Sequence, residues 1–136
     1  MTIATQIIID GTRNAVVKVV GTLTAADQPQ TTIVTASALA FSPPLLNIMH
    51  VDYSISDGIE VQLLWHATTD VLIMPLAGRG RMSFVDFGGL SNNAGAGVTG
   101  DIDLQTTGGA AATGEVVYTI ILEMTKKGLP GYKFQS

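Results

Sequence analysis

"EVVYTIILEMT", residues 115–125, is the stretch that decides the fold class of this chain. Apolar side chains recur there at every second position, a spacing that places them on one face of a β-strand. Because the strand is long and regularly patterned, we expect it to lie at the centre of a sheet. The apolar stripe consists of Val116, Tyr118, Ile120, Leu122 and Met124.

Strand-forming runs also occupy the rest of the chain. They are rich in apolar and β-branched residues, and Gly, Pro, Asn and Asp fill the gaps between them. No segment has a convincing helical pattern. The other predicted strands are 3–9, 15–24, 31–37, 45–56, 59–66, 71–76, 81–87 and 99–106.

The dipeptide Asp57-Gly58 lies between two alternating runs. It supplies the positive φ angles of a type I′ turn, so we predict a hairpin that pairs 49–56 with 59–66. Alternation in the second of these strands puts Trp65 on the apolar face, which makes it a predicted core residue.

A second predicted hairpin joins 71–76 to 81–87 across the glycine-containing segment 77–80. Pro75 has no backbone N–H to donate, so it places the first of these strands at a sheet edge or at a bulge.

About eight or nine strands with short turns and no covering helices predict an all-β fold. The economical arrangement is a single-domain antiparallel β-sandwich that is jelly-roll-like, and a closed barrel is the alternative. We assign 1–127 to this domain and 128–136 to a C-terminal extension.

Charged residues are scarce. They make up 13% of the 136 residues and the mean hydropathy is +0.38, whereas an average soluble domain is about 25% charged. A small domain has much surface for its volume, so uncharged and apolar side chains must lie on its outside. We therefore expect this surface to be covered by a partner.

Several classes of partner are not expected. The net charge is −4, and the seven basic residues form no stripe that could neutralise phosphates, so direct nucleic-acid binding is not predicted. The absence of cysteine excludes a disulfide framework and a thiolate metal site. No run reaches the roughly 18 apolar residues of a membrane helix, and no secretion signal is recognisable. We expect a soluble protein without membrane contact.

Two strings resemble nucleotide-binding motifs. "GAGVTG", residues 95–100, has the glycine spacing of a dinucleotide fingerprint, but that fingerprint needs a helix after its last glycine. Here Gly100 leads into an alternating, strand-like run. The kinase-like triplet Asp86-Phe87-Gly88 stands in a chain about half as long as a kinase needs. Nucleotide binding is therefore not expected.

Polar residues give no recognisable chemical site. His50 and His66 are predicted on paired strands, with Asp52 on the same face as His50, but this spacing matches no zinc-binding set. Asp101 and Asp103 share a strand face, which is typical of a solvated face rather than of paired catalytic carboxylates. We predict no catalytic residue, no metal and no cofactor, and expect that the chain is not an enzyme.

The loop 88–100 and the tail are the candidate contact segments, together with the N-terminal strand. The loop is rich in Gly and Asn and longer than most loops of compact domains, and such loops often contact a partner. The tail carries apolar and aromatic side chains, which would lie on its own domain or on a neighbour. The predicted contact residues are Leu90, Asn92, Asn93, Gly95, Gly97, Lys126, Lys127, Leu129, Tyr132 and Phe134.

Three stretches carry a resemblance to a known group of proteins. They are "YSISDGIEVQLLWHATTD" at 53–70, "LAGRGRMSFVDFGGLSNNAGAGVTGDI" at 76–102 and "VVYTIILEMTKKG" at 116–128. Over about residues 50–127 the chain resembles small structural proteins of tailed double-stranded DNA bacteriophages, in particular head decoration or cement proteins. The likeness is one of size and β-rich character, without an invariant motif.

The resemblance implies a small β-sandwich or barrel that forms dimers or trimers on the outer surface of the head. Its partners would be the major capsid protein and further copies of itself, and it would be made in the host cytoplasm. The alternative is a tail or baseplate β-domain that adheres to host carbohydrate, for which Tyr53, Tyr132 and Phe134 are the candidate aromatic residues. A small hydrolase, the third class, would need a deep pocket with clustered titratable groups.

Overall fold

The computed structural model of the chain describes residues 2–112 and 114–127. Within these ranges the chain forms nine strands and three short 3-10 helices, and contains no α-helix. The strands are β1 (Thr2–Asp10), β2 (Asn14–Thr24), β3 (Thr31–Val34), β4 (Leu45–Ile55), β5 (Glu60–Trp65), β6 (Val71–Leu76), β7 (Arg79–Ser83), β8 (Ile102–Thr107) and β9 (Glu115–Lys127).

The strands form two antiparallel sheets, which confirms the predicted all-β class. One sheet has five strands in the order β1-β2-β9-β4-β7, and the other has four in the order β3-β8-β5-β6. The strand β9 lies at the centre of the larger sheet, as its pattern predicts. Its whole apolar stripe is buried, from Val116 to Met124.

The pairings are nested along the chain. The strand β2 pairs with β9, β3 with β8, β4 with β7, and β5 with β6, so the first half of the run β2–β9 folds back along the second half. Two further pairings, β4 with β9 and β5 with β8, join these pairs into the two sheets. From β2 to β5 each strand therefore lies in the opposite sheet from the one before it.

Both predicted hairpins are wrong for this reason. The strands before and after Asp57-Gly58 are β4 and β5, which belong to different sheets. Gly58 has a positive φ of 87°, but Asp57 does not, so the turn is not type I′. The strands β6 and β7 also belong to different sheets. Pro75 does lie on an edge strand, β6, as predicted.

Several strands are shorter than predicted because short 3-10 turns follow or precede them. The predicted strand 31–37 ends at Val34, and the turn Ala36–Ala38 follows, its first N–H donating to the Asp101 carboxylate at 2.9 Å. The predicted strand 81–87 ends at Ser83, before the turn Val85–Phe87.

One hydrophobic cluster draws on both sheets. Trp65 of the smaller sheet is 2% exposed, which confirms it as a core residue, and Tyr118 of the larger sheet is fully buried. The Tyr118 hydroxyl has no hydrogen-bond partner among the described residues. Burial raises the pKa of Tyr118 to about 12, because it disfavours the charged form.

Candidate interaction surface

The N-terminal strand β1 forms a free edge of the five-stranded sheet. It pairs on one side only, antiparallel with β2. Three consecutive side chains near its end are half exposed: Ile7 at 50%, Ile8 at 48% and Ile9 at 52%. No charged residue occurs from Thr2 to Ile9. The strand therefore presents an apolar edge without charge.

The apolar surface continues from β1 onto the outer face of the same sheet. Val20 on β2 is 38% exposed and Val117 on β9 is 46% exposed. At one end of this face an open groove of about 350 Å³ has a largely apolar lining that includes Ile9, Val16, Met49 and Val85. Exposed apolar side chains on one face of a sheet are compatible with a contact surface.

The charges of this outer face lie toward its other edge. Arg81 on β7 donates to the Asp52 carboxylate at 2.6 Å and lies 3.2 Å from the Glu123 carboxylate. Nearer β1, the charged residues of this face include Lys18 on β2 and, at the two ends of β9, Glu115 and Lys127.

The outer face of the four-stranded sheet carries a polar ladder across β5 and β8, while Leu72 on the edge strand β6 is 49% exposed. The Gln105 amide donates to Gln62 at 2.6 Å, and the Gln62 amide donates to the Glu60 carboxylate at 3.1 Å. Thr107 donates to the same carboxylate at 3.2 Å. These side chains satisfy one another in a ladder across β5 and β8. The two outer faces of the molecule therefore differ in character, one apolar near β1 and the other hydrogen-bonded.

A tight polar cluster stands on this second face. Asp103 is 3% exposed. Its Oδ2 lies 2.8 Å from His66 Nδ1, and its Oδ1 accepts a hydrogen bond from the Thr32 hydroxyl at 2.8 Å. The Gln30 amide donates to Asp103 at 2.8 Å and to Asp70 at 2.6 Å. The prediction that Asp103 marks a solvated face is thus wrong, because these donors satisfy the carboxylate inside the protein.

Protonation of this cluster is biased by its hydrogen bonds. The bond to Asp103 raises the pKa of His66 above 6.5, and the more distant Asp70 and Asp101 carboxylates act in the same direction. The backbone N–H of Ala67 and the Gln30 amide lower the pKa of Asp70. The cluster therefore favours a histidinium held between carboxylates.

The same residues offer three ligand atoms to a cation. One atom each of His66, Asp70 and Asp103 lies within 4.8 Å of the others. However, the Gln30 N–H groups already occupy the space between the two carboxylates. A metal ion would have to displace these donors. The prediction that His50 and His66 lie on paired strands is wrong, because β4 and β5 lie in different sheets.

The loop 88–100 joins the two sheets at one end of the molecule. Leu90 forms an isolated antiparallel bridge with Ile48 at the edge of β4, and its side chain is partly buried against the core. Further along, Ala96 accepts the Thr68 N–H at 3.0 Å. Leu90 stays a predicted contact, with a side chain that also packs against the protein's own core.

Other predicted contact residues of the loop face outward. Asn93, Gly95 and Gly97 are exposed, and Asn92 is half buried, with its side-chain oxygen Oδ1 accepting the Ala94 N–H at 2.9 Å. Gly97 has a φ of 80° and stands so close to Thr68 that no side chain would fit there. These residues stay predicted contacts.

Lys126, a further predicted contact residue, is buried. It is 2% exposed, and its ammonium lies 2.6 Å from the Asp10 carboxylate. It also donates to the carbonyls of Gly11 and Ala40, at 2.5 and 3.0 Å. Lys127 is exposed. The predicted contacts Leu129, Tyr132 and Phe134 lie outside the described residues.

No protein-family model and no curated protein matches this chain. None of the helices in the described part of the chain is long and apolar enough to cross a membrane.

Proposed function

We propose that this chain is a virion structural protein of a tailed double-stranded DNA bacteriophage, a head decoration or cement protein that binds the outer surface of the capsid as a homo-oligomer. The resemblance of residues 50–127 to such proteins supports this proposal, as does the low content of charged residues, 13%.

The finer architecture is part of the same proposal. The two sheets would face each other as a jelly-roll sandwich, with β1 added beside β2. The nested pairings β2·β9, β3·β8, β4·β7 and β5·β6 support this topology, because a jelly roll is a long antiparallel ribbon wound into two sheets. The shared hydrophobic cluster supports the face-to-face arrangement.

The observation that carries the proposal is the contrast between the two outer faces. The face of the larger sheet next to β1 exposes Ile9, Val20 and Val117. The face of the smaller sheet instead carries side chains that hydrogen-bond to one another, among them Gln62 and Gln105. An apolar side suited to contact and a polar side suited to water are compatible with a protein that coats a larger shell.

The mechanism would be mechanical. Each copy would cover apolar shell surface with modest contacts from β1, the exposed part of the loop 88–100 and the residues from Lys127 onward. Symmetric copies would add these contacts together, so that a weak single contact becomes strong attachment. Capsid subunits bridged in this way would resist the pressure of the packaged DNA without any chemical step.

The one candidate aromatic residue that the structure describes, Tyr53, gives no support to the carbohydrate-binding alternative. Of its candidate aromatic residues, Tyr53 packs against the core and over Gly80, while Tyr132 and Phe134 lie outside the described residues. A sugar platform needs exposed aromatic rings.

Fractionation of virions tests the location. Particles of the phage that encodes the chain are separated into heads and tails, and the chain is quantified in each by mass spectrometry. The proposal expects it in the head fraction, released by mild treatments that leave the shell intact. Its recovery with tails or baseplates would contradict the proposal.

A further inference from the structure

Three of the four sheet edges carry a feature that hinders pairing with another strand. The edge strand β3 has only four residues. The edge strand β6 contains Pro75, which lacks a backbone donor. The edge strand β7 has only five residues and carries the exposed Arg79, whose charge repels a second identical edge. Short length, proline and charge are the usual means by which proteins protect sheet edges.

The fourth edge, β1, has none of these along most of its length. It is nine residues long, contains no proline and has no charge before Asp10. Its one irregularity is a bulge between Ile7 and Ile9, so the run Thr2–Ile7 is regular. This run extends about 20 Å at the rise of an antiparallel strand. The backbone groups on its outer side have no strand partner among the described residues.

We propose that β1 pairs antiparallel with β1 of a second copy of this chain, which joins two five-stranded sheets into one sheet of ten strands across a two-fold axis. This inference names the self-contact of the homo-oligomer and in that respect rests on the proposed function. The strand is added as in β-augmentation: main-chain hydrogen bonds supply affinity, and the flanking side chains supply fit.

Charge favours a second copy as the occupant. Two chains of net charge −4 repel each other unless they meet where neither carries charge, and the run Thr2–Ile7 is such a place. The nearby carboxylate of Asp10 is paired with the Lys126 ammonium at 2.6 Å within the same chain. Antiparallel pairing of identical strands also closes on itself, so assembly stops at two copies instead of growing into a filament.

Apolar contact favours the same arrangement. A two-fold axis near the middle of the run brings Ile7 of each copy toward the start of the other β1. The half-exposed Ile7 would then lose its exposed surface on pairing. Val20, which is opposite Ala4 in the register, lies on the outer face beside β1 and is 38% exposed.

The mass of the full chain in solution tests the pairing. Light scattering coupled to size exclusion is expected to give twice the 14.2 kDa mass of one chain. Ile7→Lys and Gln6→Lys each add a charge to an edge that carries none, as lysine does on protected sheet edges, and are expected to weaken the dimer by at least roughly tenfold. The control Leu72→Lys changes a side chain of equal exposure, 49% against 50%, on the edge of the other sheet, and should leave the dimer unchanged.

A cysteine scan locates the axis. The chain contains no cysteine, so single substitutions at positions 2–7 report only on contacts between copies. A disulfide needs Cα atoms within about 7 Å, so in an antiparallel self-pair only the positions next to the axis cross-link under mild oxidation. One sharp maximum along the strand is expected. Uniform or absent cross-linking would contradict the pairing.

The outcomes separate this inference from the proposed function. The β1 pairing is overturned if the wild-type chain is a monomer or a trimer. It is also overturned if the oligomer survives both Ile7→Lys and Gln6→Lys, even if the protein binds heads. A dimer that is lost in both variants supports the pairing, and if that dimer fails to bind heads, only the proposed function is overturned.

Discussion

The ammonium of Lys126, near the end of β9, lies 2.6 Å from the carboxylate of Asp10 at the end of β1. The Lys126 side chain is fully buried, and its remaining donors reach the carbonyls of Gly11 and Ala40. This contact ties the central strand, the β1–β2 turn and the segment before β4 together. It fixes the end of the strand that we propose pairs with a second copy.

Lys126→Met is expected to destabilise the protein by about 2–3 kcal/mol, because it removes one partner of a partly buried ion pair and leaves two carbonyls without their donor. The neighbouring exposed residue gives a matched control, and Lys127→Met should change stability by less than about 0.5 kcal/mol. Chemical denaturation of both variants measures the difference. Equal losses of stability at the two positions would contradict a stabilising role for the buried contacts of Lys126.

The contribution of this pair should depend on pH. The hydrogen bond from Lys126 lowers the pKa of Asp10 below 3.8. A carboxyl group whose pKa is lowered by folding stabilises the protein above its unfolded pKa and loses this effect as the pH falls through the folded pKa. The difference in unfolding free energy between wild type and Asp10→Asn should therefore have its largest value at pH 7 and decrease below about pH 3.8. A difference that does not change with pH would refute this assignment.

The ring of Tyr118 fills the space where Gly21 lacks a side chain, directly opposite it on the neighbouring strand. Gly21→Ala is expected to cost roughly 2–3 kcal/mol, because a methyl group there would overlap the buried ring. Gly95→Ala is the control, since nothing lies within 4 Å of a Cβ at that position. It should be neutral or slightly stabilising. Thermal unfolding of both variants distinguishes these effects, and a tolerated Gly21→Ala would show that the ring lies elsewhere.

His66 should titrate above 6.5, mainly because of its hydrogen bond to Asp103. Asp103→Asn is expected to lower this pKa more than Asp70→Asn does, as NMR titration of the ring protons would show. A histidine whose pKa is raised by folding stabilises the protein below its unfolded pKa and loses this effect as the pH rises through the folded pKa. The amount by which wild type is more stable than His66→Gln should thus decrease as the pH rises above about 6.5. An equal or larger effect of Asp70→Asn would contradict the role of Asp103.

Strand positions were predictable from the sequence because alternation is a local property. The run 115–125 alone identified a central strand, and Pro75 identified an edge. Strand partners were not predictable in the same way. The turn at Asp57-Gly58 reverses the chain, but its residues do not record whether the next strand joins the same sheet or the opposite one.

The candidate surface was predictable only in part. The low charge content indicated an apolar outside, but its location depends on which face of each strand meets the core. Lys126 looked like a surface residue because the acceptors that bury it, Asp10 and Ala40, lie far away in the sequence. The cluster around Asp103 was missed for the same reason, since Gln30 just before β3 and His66 just after β5 are both distant from Asp103 in the chain.

Co-sedimentation with empty heads tests the central claim most directly. Heads assembled from the major capsid protein of the same genome, and lacking this chain, are mixed with the purified protein and pelleted. We expect saturable binding with a fixed number of copies per head, weakened by Val117→Lys on the apolar outer face but not by Gln105→Lys on the polar one. Protein that is folded yet stays entirely in the supernatant at saturating concentration would contradict a role as a head decoration protein.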